Sequence, residues 1–214
     1  MICFLGTSHA AIHLRDAALR RGMDVCRNPE NAKVIFISED TPTDDNGVRD
    51  LEPIRKLVAQ AASIGSAQLV LTSQVPPGFT RSLEIERIYH QAETLRIKDA
   101  PARAYAPEYI AVGGPIGISK HYAEYLLAFK CPVLRMTWEE AEMTKIAVNM
   151  MLAAQVDFTN RMAKVSEKVG AKWEVVAKAL KLDSRIGPHA YLTPGSWSAS
   201  KHLLRDHVTV EAIK

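Results

Sequence analysis

From Trp138 to Val169 the sequence runs without a proline or a glycine, and Gly170 follows at once. An uninterrupted stretch of this kind, closed by a glycine, predicts one long helix with a defined stop. At about 1.5 Å of rise per residue it would reach roughly 48 Å. That is more than one small domain needs, so the chain is expected to organise around it in two parts. Thr137, with Glu140 three residues on, supplies a capping box for its start. Met143, Ile146, Met150, Ala153, Ala154 and Phe158 give it an apolar face.

The remaining composition is that of a folded globular protein: of the 214 residues, 47% are hydrophobic and 24% charged, which excludes disordered and collagen-like classes. A formal charge of +3, with basic residues scattered among acids, offers no stripe for nucleic acid. No apolar run is long enough to span a membrane, and the N-terminal MICFLGTSHAAIHLRD lacks a basic leader. A cytoplasmic protein is expected. Cys3, Cys26 and Cys131 are odd in number, widely spaced and set in apolar runs, which reads as buried thiols and not as a disulfide or zinc site. His189, His202 and His207 with Asp206 match no strong ligand spacing, so no metal is expected.

The first half alternates strand and helix signals. ICFLG at 2 to 6, a helical pattern from about 9 to 21 and a second strand MDVCR make a strand–turn–helix–strand unit. Such a unit sets backbone N–H groups and a helix N-terminus where a dinucleotide's pyrophosphate can sit. The fingerprint Gly-x-Gly-x-x-Gly is Gly6-Thr7-Ser8-His9-Ala10-Ala11 here. Gly6 keeps the turn, Ser8 adds a side chain where phosphate must approach, and Ala11 is a tolerable residue at the helix-packing position. No acid closes the second strand to hold a ribose, and the chain passes almost directly to KVIFISEDTPTDD, so the adenosine side is expected to be short. Arg27 reads either as a contact for a 2′-phosphate or as a surface arginine.

Further motifs carry a resemblance. VIFISEDTPTDD contains the turn Thr41-Pro42-Thr43; QLVLTSQVPPGFTR places Ser73 and Gln74 before Val75-Pro76-Pro77-Gly78; Glu93-Thr94-Leu95-Arg96 follows the strand IYHQ. PEYIAVGG, AEMTKIAVN with Lys145 and Asn149, Phe158-Thr159-Asn160, Lys168-Val169-Gly170 and Asp183-Ser184-Arg185-Ile186-Gly187 succeed one another in order. The chain then runs from Tyr191 into Gly195-Ser196-Trp197-Ser198-Ala199-Ser200-Lys201-His202-Leu203-Leu204-Arg205-Asp206. In this order and spacing the sequence resembles the UDP-glucose/GDP-mannose dehydrogenases over nearly its whole length. That family's last loop reads Gly-x-Gly-Phe-Gly-Gly-Ser-Cys-Phe-Pro-Lys-Asp, so His202 stands where the cysteine would be. Gln74 replaces a threonine that approaches the sugar, and Trp197, Ser198, Ala199 and Ser200 replace a glycine-rich wrap.

The resemblance implies NAD-linked oxidation of a sugar alcohol on a nucleotide sugar. Lys145, Asn149, Glu93 and Asp206 fall on catalytic positions, with His202 at the place of the nucleophile. It further implies cofactor contacts at Gly6, Ser8, His9, Ala11, Thr41, Ser73 and Gln74, and substrate contacts at Leu95, Arg96, Tyr191 and Gly195. A lysine and an amide one helical turn apart suit stabilisation of an alkoxide as hydride leaves carbon. Without the cysteine no thiohemiacetal forms, so the family's full oxidation to an acid is not expected; a single alcohol-to-carbonyl step needs no cysteine.

The expected fold is therefore α/β: a Rossmann-like domain over 1–136, with a largely parallel sheet and helices on both faces, then a helical domain over 137–214 built on the long helix. A nucleotide-binding domain that the family carries beyond this point is expected to be missing. Two functions stay open. One is a reduced NAD-dependent dehydrogenase; the other is an inactive homologue that binds or completes another dehydrogenase chain. In either case the helix over 138–169 is expected to form a homodimer.

Overall fold

Alternate residues of the strands face opposite sides of one six-stranded sheet, and that alternation builds two separate cores. The computed structural model describes residues 1–213. The strands are β1 (Ile2–Leu5), β2 (Val34–Ile37), β3 (Gln68–Leu71), β4 (Ile88–Gln91), β5 (Ile110–Gly113) and β6 (Val133–Met136), in that spatial order. All neighbours are parallel except β4 with β5, which run antiparallel with His90 opposite Gly113. Cys3, Ile35, Ile37, Leu69, Leu71 and Ile88 point to one side and pack with Ile54, Val58 and Ala61 of α2 (Glu52–Ala62). Ile2, Val34, Phe36, Val70, Tyr89 and Val112 point to the other. There they meet Ala18 of α1 (His9–Arg20) and Tyr122, Tyr125 and Leu126 of α4 (Lys120–Leu127). Every residue of β2 is inaccessible to solvent, as expected of a parallel strand covered on both faces. Burying each such side chain contributes about 1.5–3 kcal/mol.

The second strand expected at MDVCR does not form. Among the described residues its only ladder pairing is a single parallel bridge from Val25 to Ile2, held by the Ile2 N–H on the Asp24 carbonyl at 2.8 Å and the Cys26 N–H on the Ile2 carbonyl at 2.9 Å. Pro29 then opens a 3₁₀ turn over Pro29–Asn31, and a proline brings no N–H to extend a ladder. A short helix α3 (Ala100–Tyr105), absent from the sequence reading, packs Ala104 against Leu14 and Ala17 of α1. Of the three cysteines only Cys3 is fully buried; Cys26 and Cys131 are partly exposed, and all three are free thiols.

The chain divides into two compact units, one of residues 1–42 and 49–145, the other of 43–48 with 146 onward. The division falls within α5 (Trp138–Lys168). This helix starts with the capping box: the Thr137 N–H donates to Glu140 Oε2 at 2.7 Å, and the Glu140 N–H donates to Thr137 Oγ1 at 3.3 Å. It stops at Gly170, whose φ of 73° suits the left-handed turn that follows. In the second unit, α6 (Trp173–Leu182) buries Trp173 and Ala177 with Leu192, and the Trp173 indole N–H donates to the Leu192 carbonyl at 2.9 Å. There too Gly47 lies against Leu204 and Val208 of α7 (Lys201–Ile213). Among the described residues no helix is long and apolar enough to cross a membrane.

Candidate active site

In the first unit, the turn after β1 is fixed by its contact with the end of β2. Gly6 has a φ of 107°, and a Cβ there would lie 2.0 Å from the Ser38 carbonyl oxygen. Only glycine fits that approach. Ser8 is buried, and its side chain turns inward. Its hydroxyl caps α1 by accepting the Ala11 N–H at 3.0 Å and lies 2.9 Å from both the Ser38 carbonyl and the Ser38 hydroxyl. The crowding expected from Ser8 is thus absent from the outer face of the turn. His9 is exposed at the first residue of α1, with its Nε2 3.0 Å from His13 Nε2, and Ala11 is buried.

Beside this turn lie the ends of β2 and β3. The Thr41 hydroxyl donates to the Gln74 carbonyl at 2.9 Å, which ties the Thr-Pro-Thr turn to the segment after β3. Ser73, also buried, accepts the Glu39 N–H at 2.8 Å. Thr41, Ser73 and Gln74 therefore gather along one edge, outside the carboxyl ends of adjacent parallel strands.

The following loop is clamped by a buried acid. Glu142, on the first turns of α5, is 1% exposed and accepts the Gly78 N–H at 2.6 Å and the Thr80 N–H at 2.7 Å. Burial raises its pKa above the usual carboxylate value, against the lowering effect of those two donors. Its neighbour Glu139 receives the Arg81 guanidinium, which also stacks on the Trp138 ring at 4.8 Å. No local pattern marks Glu142, because its donors lie more than sixty positions earlier.

Lys145 comes one turn after Glu142, and its ammonium lies 3.7 Å from Glu93 Oε2. The two side chains are 14% and 18% exposed, so the pair is shielded yet reachable. Glu93 also accepts the Leu95 N–H, which sets its carboxylate at the turn after β4. Leu95 itself packs on Leu14, Ala17 and Ala104, and Arg96 is engaged with Asp99. Leu95 and Arg96 thus serve the local fold as described.

In the second unit, Asn149 and Asp206 are both buried, and the Asn149 amide donates to Asp206 Oδ2 at 2.6 Å. Asn160 grips the backbone of Gly195 from both sides, donating to its carbonyl at 2.7 Å and accepting its N–H at 2.9 Å. Tyr191 is tied through its backbone to Gln155 and Thr159, which leaves its ring partly exposed. Trp197 is fixed by its indole N–H on Asp157 at 2.9 Å, with His207 against its ring at 5.1 Å. His202 is exposed on the first turn of α7. Among the described residues no group of three or more His, Cys, Asp or Glu side chains is arranged to hold a metal ion.

Of the residues singled out in the sequence, the fold brings together Lys145 with Glu93, and separately Asn149 with Asp206. An ammonium facing a carboxylate, both partly shielded, can hold and pass a proton and stabilise a developing oxyanion.

Comparison with known proteins gives the chain's relatives. The central domain of the UDP-glucose/GDP-mannose dehydrogenase family matches residues 139–206. The UDP-glucose 6-dehydrogenase TuaD of Bacillus subtilis is 32% identical over 176 residues, which cover 72% of this chain and 36% of TuaD. The uncharacterized protein MJ1054 of Methanocaldococcus jannaschii is 30% identical over 175 residues, which cover 74% of this chain and 20% of that protein. The chain thus spans well under half the length of these two relatives. In fold, it superposes on a UDP-glucose dehydrogenase from Pyrobaculum islandicum with a TM-score of 0.75 at 23% identity, covering 99% of this chain and 64% of that one. It also superposes on a GDP-mannose dehydrogenase from Pseudomonas aeruginosa with a TM-score of 0.64 at 22% identity, covering 88% and 49%. Residues 139–206 thus carry the central domain of the UDP-glucose/GDP-mannose dehydrogenase family, and the chain shares the fold of these dehydrogenases.

Proposed function

We propose that the chain oxidises a sugar alcohol of a nucleotide sugar to a carbonyl in one two-electron step, with NAD as the hydride acceptor. The observation that carries this reading is the shielded Lys145–Glu93 pair at 3.7 Å. Glu93 is suited to accept the hydroxyl proton. The Lys145 ammonium then stabilises the alkoxide as the C–H bond breaks.

Whether the residues present suit a dinucleotide is decided at the Gly6 turn. The N-terminus of a full-length helix follows a glycine turn, with Thr41, Ser73 and Gln74 at the neighbouring strand ends, and this set would hold the cofactor. NAD when bound supplies the hydride acceptor; everything else in the step falls to side chains of this chain. The resemblance puts His202, exposed on α7, where a thiolate would act, and an imidazole forms a weaker adduct than a thiolate, so the reaction is read as ending at the carbonyl.

The second reading, a partner-binding role, is favoured by one surface. Ala147, Met151, Ala154, Phe158 and Val165 recur on one face of α5 and are all exposed; Met151 is 62% and Phe158 49% accessible. An apolar stripe of this length marks an association site, and we assign it to a second copy of this chain or to a complementing dehydrogenase subunit. The two readings separate on cofactor use. In calorimetric titration with NAD, and separately NADP, micromolar binding supports the enzyme; silence at millimolar concentration of both removes it and leaves the association role.

A further inference from the structure

The turn that would receive the cofactor's pyrophosphate already holds an anion belonging to the chain. Glu39 Oε2 accepts the Thr7 backbone N–H at 3.0 Å, and the Thr7 hydroxyl lies 3.2 Å from Oε1 and 3.3 Å from Oε2. Glu39 Oε1 also accepts the Asp40 N–H at 3.1 Å. The backbone behind this carboxylate is fixed on two sides, by the Glu39 N–H on Ser73 and by the Ser8 hydroxyl on the Ser38 carbonyl. The backbone that carries this carboxylate is therefore held in place.

Its place in the sheet gives it meaning. After β1 the chain crosses through α1 to Val25, which bridges one side of Ile2, and then returns to place β2 on the other side. The junction of β1 and β2 is thus the point where strand order reverses. Open α/β sheets bind ligands in the crevice outside the carboxyl ends of the strands at that point. Backbone N–H groups there are what a phosphate ordinarily uses.

We propose that Glu39 is the residue that sets which ligands this crevice admits. Its carboxylate takes the Thr7 N–H that a pyrophosphate would use and repels the phosphate charge, so a dinucleotide enters only by displacing it. This inference rests on the reading of the chain as a cofactor-using dehydrogenase. Gly6 itself is required by the Ser38 contact, whatever ligand is bound.

The test is calorimetric titration of NAD into the wild-type protein, Glu39→Gln and Glu39→Ala, at low and high salt, with thermal melts to verify folding. Glutamine keeps an acceptor for the Thr7 N–H and removes only the charge; alanine removes both. Both variants should bind NAD at least about tenfold more tightly than the wild type. The gap should narrow at high salt, because exposed charges are screened. Equal or weaker binding by the variants overturns the inference while leaving the cofactor reading in place. Binding by none of the three proteins overturns both.

Discussion

The Asn149 amide and the Asp206 carboxylate meet at 2.6 Å inside the second unit, where Asp206 is wholly buried and Asn149 6% exposed. Their contact joins α5 to α7 within that unit. Asn149→Ala withdraws a charge-assisted donor from a buried carboxylate, which should cost about 1.5–3 kcal/mol of stability. Urea denaturation of wild type and variant measures it directly, and an unchanged midpoint would show that the contact does not support the fold.

Lys145→Ala separates chemistry from folding more cleanly, since the lysine is partly exposed and its partner Glu93 keeps the Leu95 N–H. Removing one oxyanion partner should reduce turnover by about 10²- to 10³-fold. The melting temperature should change little. Turnover equal to wild type with any accepted nucleotide sugar would remove Lys145 from the proposed site.

Relations within one element were legible in the sequence. The capping box of Thr137 and Glu140, the unbroken course of α5 and its stop at Gly170 all depend on neighbours within a few positions. Relations that depend on strand adjacency were not. Ser8 reads as an obstruction until β2 is known to lie beside β1, when its hydroxyl is seen to face Ser38. Glu39 lay inside an acid-rich turn with no local sign that it would reach Thr7. Lys145 and Glu93 were each picked out by resemblance alone; their ion pair closes a loop of more than fifty residues. MDVCR has strand composition, yet Pro29 leaves it only one bridge.

The exposed apolar face of α5 makes a prediction about association. If a second copy covers Met151 and Phe158, the wild-type protein is a dimer in solution, and Phe158→Asp buries an uncompensated charge in the contact. Light scattering across a concentration series should show a dimer for wild type and a monomer for the variant. A wild type that stays monomeric at about 100 μM, well above the Kd of an ordinary stable dimer, would assign the stripe to a different partner.

A last prediction concerns acid stability and comes from His90 on β4. Burial alone pushes its pKa down from 6.5 to about 3, and among the described residues its Nδ1 has no hydrogen-bond partner. The ring is therefore neutral in the folded protein, while in the unfolded chain it takes up a proton as the pH falls through 6.5. Above that value both states carry a neutral ring and His90 gives no pH dependence. Below it the unfolded state binds a proton that the folded state refuses, so stability falls as the pH is lowered. The slope approaches about 1.4 kcal/mol per pH unit and persists until the folded ring itself titrates near 3. His90→Leu removes the titration and leaves an apolar side chain of comparable size in the sheet. Urea midpoints at several values between pH 7 and pH 4 would then fall less steeply for the variant, the difference in slope isolating His90 from the carboxylates that titrate in both proteins. Identical slopes would mean that the fold admits the proton, and that the β4 interior is more polar than its packing implies.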